Sequence, residues 1–154
     1  MPHGDDIKRP ADDGQYFERM TRALFSAGLN WQMIENKWPH FRRAFAGFSI
    51  NKVAKFAEAD VKRLMRDTGI VRNEKKIRST VQNAKQFQAL GKEFGSFDKF
   101  LASFKKDERR LQEDIQSRFQ HVGPSSARTF LWLSKYPLTP TKEERAWIAS
   151  HPED

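Results

Sequence analysis

The chain has 154 residues, which suffices for one domain with a real core and is too short for two. It contains no Cys, which excludes disulfides, thiol catalysis and Cys-ligated zinc or iron–sulfur centres. Lys and Arg number 28 against 20 Asp and Glu, for a formal net charge of +8. That surplus favours a polyanionic partner, nucleic acid or an anionic membrane, and a merely solvated basic surface fits it about equally well.

Helical periodicity begins after a polar N-terminal segment. Residues 1–14 have no periodicity and carry four Asp, so we predict a flexible leader that is no signal peptide. No apolar run is long enough to span a membrane, and a cytoplasmic protein is expected by elimination. The first helix starts at Gln15 and Gly28 stops it. Pro39 should kink or split the second helix. The apolar stripe of that second helix consists of Trp31, Ile34, Trp38, Phe41 and Phe45.

The remaining elements are also short helices. Ser49 can cap one, Asn73 can cap a longer one that ends near Gly91, and Thr141 with Glu144 predicts a capping box for the last. No stretch alternates as a strand would. The sequence therefore predicts an all-α fold, an orthogonal array of short helices that forms one domain over residues 15–154. Further predicted helices cover 59–67, a segment from Ser96, a segment around 111–119, and 124–133.

One turn between two of these helices has features that suit phosphate binding. An apolar helix end at Phe119 leads into Gly123, and Pro124 then opens the next helix. Gly123 lets a ligand approach the backbone, and the first amides of the following helix point outward. An ordinary corner between two helices would have the same composition, so both interpretations stay open. The side chains that could assist in binding phosphate are Ser125, Ser126 and Arg128.

Two longer motifs carry a family resemblance. Residues 27–31 read Ala-Gly-Leu-Asn-Trp, and residues 69–77 contain Gly-Ile, then Arg-Asn, then Lys-Ile, in that order. This series resembles the 3-methyladenine DNA glycosylase I family, a branch of the helix-hairpin-helix glycosylase superfamily. The resemblance is good over residues 15–90 and weaker over 111–133. The hairpin motif would lie at about 115–133, with His121 where the family usually has its first Gly.

The resemblance implies a helix-hairpin-helix fold with two helical lobes and a cleft. It implies a monomeric enzyme that needs no cofactor. Such an enzyme flips an alkylated base out of double-stranded DNA and hydrolyses the N-glycosidic bond of that base in base-excision repair. In a bacterium it would be associated with the nucleoid. Trp31 matches the tryptophan that stacks on the base, with Trp38 and Phe17 as further walls; the apolar stripe alone would make Trp31 a core residue. Backbone contacts, with a cation at the hairpin carbonyls as the superfamily suggests, would come from His121, Gly123, Ser125, Ser126 and Arg128. Apart from the resemblance, a basic cluster at a helix start could also contact phosphate, and plain solvation fits it about equally well; it consists of Arg72, Lys75, Lys76 and Arg78.

The sequence departs from the family at three places. Ala23 stands where the family has the glutamate that hydrogen-bonds the base, and the candidate substitutes are Glu18 and Glu35. The Cys and His ligands of the family's zinc are missing, so no metal is expected. Residues 1–15 lack the family's tyrosine contacts. Losing one charge-assisted hydrogen bond costs roughly 1.5–3 kcal/mol, which slows an enzyme without abolishing activity. The alternative to an active glycosylase is a non-catalytic DNA-binding or damage-recognition protein. A third interpretation is a protein-interaction module.

Overall fold

The computed structural model describes residues 8–151 and is helical throughout. No strand occurs in that range, which confirms the predicted all-α class. No helix between residues 8 and 151 is long and apolar enough to cross a membrane. The nine α-helices of this range are α1 Asp13–Ser26, α2 Trp31–Ala44, α3 Ile50–Ala54, α4 Glu58–Met65, α5 Glu74–Phe94, α6 Phe97–Ala102, α7 Glu108–Arg118, α8 Pro124–Leu133 and α9 Lys142–Ser150, with a 3₁₀ turn at Ala46–Phe48.

Side-chain caps fix most helix starts. The side chain of Asn30 accepts a hydrogen bond from the Met33 amide at 3.1 Å at the start of α2, and the Asn73 side chain does the same for the Lys76 amide at 3.0 Å in α5. Thr141 accepts the Glu144 amide at 3.1 Å, as half of the predicted capping box requires. These caps explain why the predicted starts of α2, α5 and α9 agree with the structure.

The predicted leader partly overlaps the folded domain. Asp12 caps α1, which begins at Asp13, two residues before the predicted start. Pro10 is buried, and Arg9 donates from Nη2 to Asp98 at 3.3 Å on α6. Residues 8–12 therefore pack on the domain, while the first seven residues of the predicted leader lie outside the described part.

Two further details differ from the sequence-based expectation or extend it. Pro39 does not split α2, which continues from Trp31 to Ala44 around it. Because proline removes a single amide donor, the hydrogen bonds on either side can keep the helix together. In α9, the apolar residues Trp147 and Ile148 are exposed, and no residue of that helix is buried.

The core lies around α1 and α5 and is rich in aromatic rings. Helix α1 packs against α2, α3, α5, α6 and α8, and α5 packs against α3, α4 and α6. Phe17 points from α1 into this core, fully buried, with its ring edge-on to Phe48 at 5.8 Å and to Phe87 at 5.7 Å. The predicted role of Phe17 as a wall for a bound base is therefore wrong, because its ring has no exposed surface.

Candidate nucleic-acid interface

An arginine from α1 lies against two tryptophans of α2. The guanidinium carbon of Arg22 is 5.2 Å from the Trp31 ring centroid and 5.5 Å from the Trp38 ring centroid. Both distances fall within cation–π range. Trp31 is half-buried at the start of α2 and packs on the edge of the core. Its indole is therefore partly accessible, and we call Trp31, Trp38 and Arg22 the aromatic slot.

The charge of Arg22 is poorly compensated. Its side chain is 21% exposed, and its Nε is buried without a hydrogen-bond partner. Its ion pair is with the 53% exposed Glu35, at 4.0 Å from Nη2. Burial lowers the pKa of the Arg22 guanidinium, while Glu35 and Glu18 oppose that effect. An arginine stays protonated in proteins, so the slot holds a positive charge with one unused donor.

The carboxylate of Glu18 is held beside the slot by hydrogen bonds from Trp38 and Arg42. It accepts from the Trp38 Nε1 at 2.7 Å and from the Arg42 Nε at 2.8 Å. Trp38 is buried and stacks on Phe41 at 4.9 Å and on Phe48 at 5.3 Å. These contacts make Trp38 a wall held by the core rather than an open stacking face. They also leave Glu18 with structural partners, so Glu35 is the more available of the two candidate carboxylates.

A cavity of about 300 Å³ opens beside Trp38. Its wall combines one carboxylate, from Glu18, with several cationic side chains. Ligands that carry acceptor atoms or negative charge suit such a wall better than cations do. The cationic side chains are Lys8, Arg19, Arg22 and Arg42.

The turn between α7 and α8, which we call the hairpin, contains one residue in the left-handed conformation. His121, at the position where the family usually has glycine, adopts a left-handed conformation with φ of 61°. A non-glycine residue is uncommon there, although His is one of the types that tolerate it. Gly123 has φ of −89°, which any residue can adopt, and a Cβ built on it would meet no atom within 4 Å. The feature that distinguishes Gly123 is therefore the open space beside its Cα and not an unusual backbone φ.

A buried asparagine fastens the hairpin to the body of the protein. Asn83 lies on α5 and donates from Nδ2 to the Gln120 carbonyl at 3.2 Å. Its Oδ1 accepts from the Gln120 amide at 2.7 Å. The side chain thus satisfies both main-chain groups of one hairpin residue and fixes the hairpin beside α5.

The start of α8 carries exposed polar groups. Gly123 is its N-cap and provides no side-chain cap, and Pro124 occupies the first turn. The first-turn amides of a helix need an acceptor, and an anion is a suitable one. Ser125 is exposed beside them, whereas Ser126 is buried, so the predicted phosphate contact of the Ser126 hydroxyl is not supported.

Two cations predicted to contact phosphate have partners within the protein. Lys76 is buried, and its Nζ donates to the Ala27 carbonyl at 3.3 Å, which ties α5 to the turn after α1. Arg128 makes two 2.9 Å hydrogen bonds to the Glu144 carboxylate and one of 3.0 Å to the Thr139 carbonyl. Lys76 is thus enclosed and Arg128 is paired with α9, and their role at a DNA backbone stays a prediction.

The other predicted basic positions remain at the surface. Arg72 and Lys75 are exposed at the start of α5. Burial lowers the pKa of His121, and the charges of Lys76 and Lys75 lower it further. The hydrogen bonds between Asn83 and Gln120 hold the hairpin beside α5. Arg72, Lys75, His121, Gly123 and Ser125 form what we call the basic face.

Sequence reasoning did not single out an exposed apolar side chain beside the slot. Leu29 is 40% exposed in the turn between α1 and α2, next to Gly28, whose φ is +73°. Met33, in the first turn of α2, is also exposed. Its amide donates to the capping side chain of Asn30. The sequence carried no signal for this exposure, because an apolar residue directly after a C-terminal glycine commonly packs on the preceding helix.

Comparison with known proteins identifies the family. The sequence model of the methyladenine glycosylase family matches residues 4–131. The chain belongs to the methyladenine glycosylase family. It is 32% identical to the DNA-3-methyladenine glycosylase of Haemophilus influenzae over 103 residues, 66% of this chain and 56% of that protein. It is 33% identical to DNA-3-methyladenine glycosylase 1 of Escherichia coli over 93 residues, 60% of this chain and 50% of that protein.

The chain thus spans about half the length of these curated relatives. A solved structure of 3-methyladenine DNA glycosylase I from Staphylococcus aureus superposes with a TM-score of 0.77 at 25% identity. That match covers 91% of this chain and 88% of the other. The fold of the methyladenine glycosylases is therefore present over most of the chain.

Within this family, the altered base-reading position lies beside the arginine of the slot. Ala23, where the resemblance locates the family's glutamate, is buried on α1 directly after Arg22. An alanine supplies neither charge nor a hydrogen bond. At the slot, α1 therefore contributes the positive charge of Arg22 and the carboxylate of Glu18, which already accepts from Trp38 and Arg42, and no negative charge from position 23.

Proposed function

We propose that this protein is a DNA glycosylase of the methyladenine type. It binds double-stranded DNA as a monomer in the cytoplasm, extrudes a modified base and hydrolyses the bond between that base and its sugar, which is the first step of base-excision repair. The observation that carries the proposal is the half-buried Trp31 at the edge of the family's fold, in a chain that also has a helix start, at α8, without a side-chain cap.

The basic face supports the binding step. The α8 amides and the Ser125 hydroxyl would donate hydrogen bonds to one phosphate group, and Arg72 and Lys75 would neutralise neighbouring phosphates. Leu29, exposed in the turn before Trp31, would enter the space that the extruded base leaves in the duplex. All of these residues lie on turns or helix starts, so they can approach the backbone without rearranging the core.

The aromatic slot supports the chemical step. The extruded base would stack on Trp31, and Glu35, one helical turn further along α2, would orient the attacking water. The water oxygen bonds to C1′ of the sugar, and the electron pair of the broken bond goes to the base. An alkylated base that carries a positive charge leaves as a neutral molecule, so modest assistance from the protein suffices.

A base-release assay tests the proposed function. Purified protein is incubated with methylated duplex DNA at about 0.1 M salt, and free bases are separated from the DNA and quantified against a sample without protein. We expect release above the spontaneous rate together with duplex binding that weakens as salt increases. Salt-sensitive binding without any release would favour the non-catalytic DNA-binding alternative, and the absence of both would favour a protein-interaction module.

Replacing Gly123 by leucine tests the hairpin separately. A Cβ at this exposed position meets no atom within 4 Å, so the loss of stability should not exceed about 1 kcal/mol, the scale of an unfavourable N-cap residue. The same side chain would keep a phosphate from the α8 amides, so duplex affinity should fall about 10-fold for all sequences alike, since phosphate contacts read no sequence. Gly91→Ala, on α5 two turns beyond Asn83, is the matched control and should bind normally. Unchanged binding by Gly123→Leu would contradict the hairpin assignment.

A further inference from the structure

A cavity of about 300 Å³, separate from the one beside Trp38, lies where the ends of α6 and α8 meet the start of α1. We call it the α6–α8 cavity. None of its lining residues belongs to the aromatic slot or to the basic face. Its volume is at the lower end of the range for small-molecule sites, and a largely apolar wall is typical of such sites. The apolar part of the wall consists of Leu101, Ala102, Tyr136 and Pro137.

The cavity wall contains a carboxylate with an unused oxygen. Asp98, in the first turn of α6, accepts hydrogen bonds from the Tyr16 hydroxyl and from Arg9 Nη2, and both bonds end on Oδ1. Burial raises the pKa of Tyr16 to about 12, so its hydroxyl keeps the proton that it donates to Asp98 at neutral pH. Within residues 8–151, Oδ2 accepts no hydrogen bond, and the Asp98 side chain is 47% exposed. A ligand in the cavity can therefore donate a hydrogen bond to Oδ2.

Two cations stand at the rim of the cavity, in the turn after α6. Lys105 and Lys106 are exposed, and neither forms an ion pair with another residue in the range 8–151. Both have left-handed backbone conformations, with φ of 49° and 67°. The Lys105 amide donates to the Ala102 carbonyl at 3.1 Å, and the Asp107 amide donates to the Phe104 carbonyl at 3.0 Å. These bonds fix the turn, so it holds two positive charges beside the apolar wall, where an anionic group would be attracted.

An aromatic ring lines the cavity from the end of α8. The Tyr136 amide donates to the Leu131 carbonyl at 3.0 Å, directly after Lys135, whose φ is 60°. This backbone arrangement is a common way to end a helix. The Tyr136 side chain packs on the core and remains partly exposed. A ring that is fixed in place and partly open can stack on a nucleobase.

These three features match the groups of a single kind of molecule. A nucleoside monophosphate has a flat base for Tyr136 and a phosphate for Lys105 and Lys106. An amino group on the base can donate to Asp98 Oδ2. An aliphatic anion would leave the ring and the carboxylate oxygen without partners, and a free nucleobase would leave the lysines without one. The small volume suits one nucleotide and not a nucleic-acid strand.

We propose that the α6–α8 cavity binds a nucleoside monophosphate whose base carries an exocyclic amino group, as adenine does. The site is separate from the one that we assign to the flipped base. The inference therefore goes beyond the proposed glycosylase function and does not depend on it.

Calorimetric titration of the full chain at about 0.1 M salt tests the proposal with four ligands. They are adenosine 5′-monophosphate, adenosine, inosine 5′-monophosphate and inorganic phosphate. We expect the adenine nucleotide to bind with a dissociation constant below about 1 mM. Each of the other ligands should bind about 10-fold more weakly or worse, because each lacks one of the matched groups. Inosine 5′-monophosphate has a keto oxygen in place of the amino group, and that oxygen would face the carboxylate of Asp98.

Two variants assign the ligand groups to the cavity. Replacing Lys105 and Lys106 together by glutamine should weaken binding of the adenine nucleotide at least about 10-fold, since both charge-assisted contacts with the phosphate are lost. The matched control replaces Lys52 and Lys55, two exposed lysines at the end of α3, by glutamine and should bind as the wild type does. Asp98→Asn keeps an oxygen that can accept from Tyr16 and puts an amide donor in place of the other. The preference for the adenine over the inosine nucleotide should then disappear or reverse. Thermal melting of each variant verifies folding.

Several results would overturn the inference. Absence of binding by the wild type would refute the site, and equal affinity for the adenine and inosine nucleotides would refute the role of Asp98. Gly123→Leu should bind the adenine nucleotide normally; a loss of affinity in that variant would assign the phosphate to the hairpin instead of the cavity. The wild-type titrations do not depend on the folding of any variant. Because base release is not measured, failure of the glycosylase proposal would leave the result of this test unchanged.

Discussion

Trp31→Ala is expected to slow base release about 10- to 100-fold. Stacking of a base on an aromatic ring contributes about 1–3 kcal/mol, and each 1.4 kcal/mol corresponds to a factor of ten in rate. Duplex affinity should change little, because the phosphate contacts that we propose come from the basic face. The measurement is single-turnover base release together with duplex binding at the same salt concentration.

The matched control for this variant is Trp147→Ala. Trp147 is 58% exposed on α9 and stacks on His151, so its removal should leave base release unchanged. Trp31→Phe, which retains a ring, should recover part of the lost rate. If Trp31→Ala released bases as fast as the wild type while remaining folded, the base would have to bind elsewhere. The interpretation of Trp31 as a core residue of the stripe would then be preferred.

The helices could be predicted well because their signals are local. Asn30, Asn73 and Thr141 accept amide hydrogen bonds from residues three positions ahead, and such spacing is visible in the sequence. The stripe of α2 likewise follows from spacing alone, and four of its five residues are buried. Only Trp31, the one at the helix start, stays partly open.

The roles of the cations could not be predicted from local sequence. Lys76 binds the carbonyl of Ala27, which is 49 positions away, and Arg128 binds Glu144 on a helix that begins after it. Both side chains looked like phosphate contacts because they stand beside motif residues. Their true partners are set by tertiary packing, which the sequence pattern does not encode.

Arg22 is the clearest case of this limitation. It occupies a position on α1 that no motif marks, and its significance depends on two tryptophans contributed by another helix. The departure at Ala23 indicated a missing negative charge, yet only the structure brings a positive charge to the same place. An unpaired buried Nε is likewise a property of packing and not of residue type.

Asn83→Ala is expected to lower the free energy of unfolding by about 2–3 kcal/mol, which shifts the melting temperature by roughly 4–12 °C in a domain of this size. Alanine removes both hydrogen bonds to Gln120 and leaves that amide and carbonyl without their protein partners. Water can reach the exposed Gln120, which keeps the cost below that of two fully buried polar groups. Thermal melting measures the effect.

The same variant connects stability to DNA binding. Without Asn83 the hairpin is no longer fastened to α5, so the turn that leads into α8 can move although α8 itself stays packed on α1, and duplex affinity should fall. Asn51→Ala is the matched control, because Asn51 accepts a hydrogen bond from Gln88 on an exposed surface and should melt within about 1 °C of the wild type. If Asn83→Ala melted like Asn51→Ala, the hairpin would be held by its apolar neighbours Phe119 and Val122 instead. A large loss of stability with unchanged duplex affinity would separate the fold of the hairpin from any role in binding DNA.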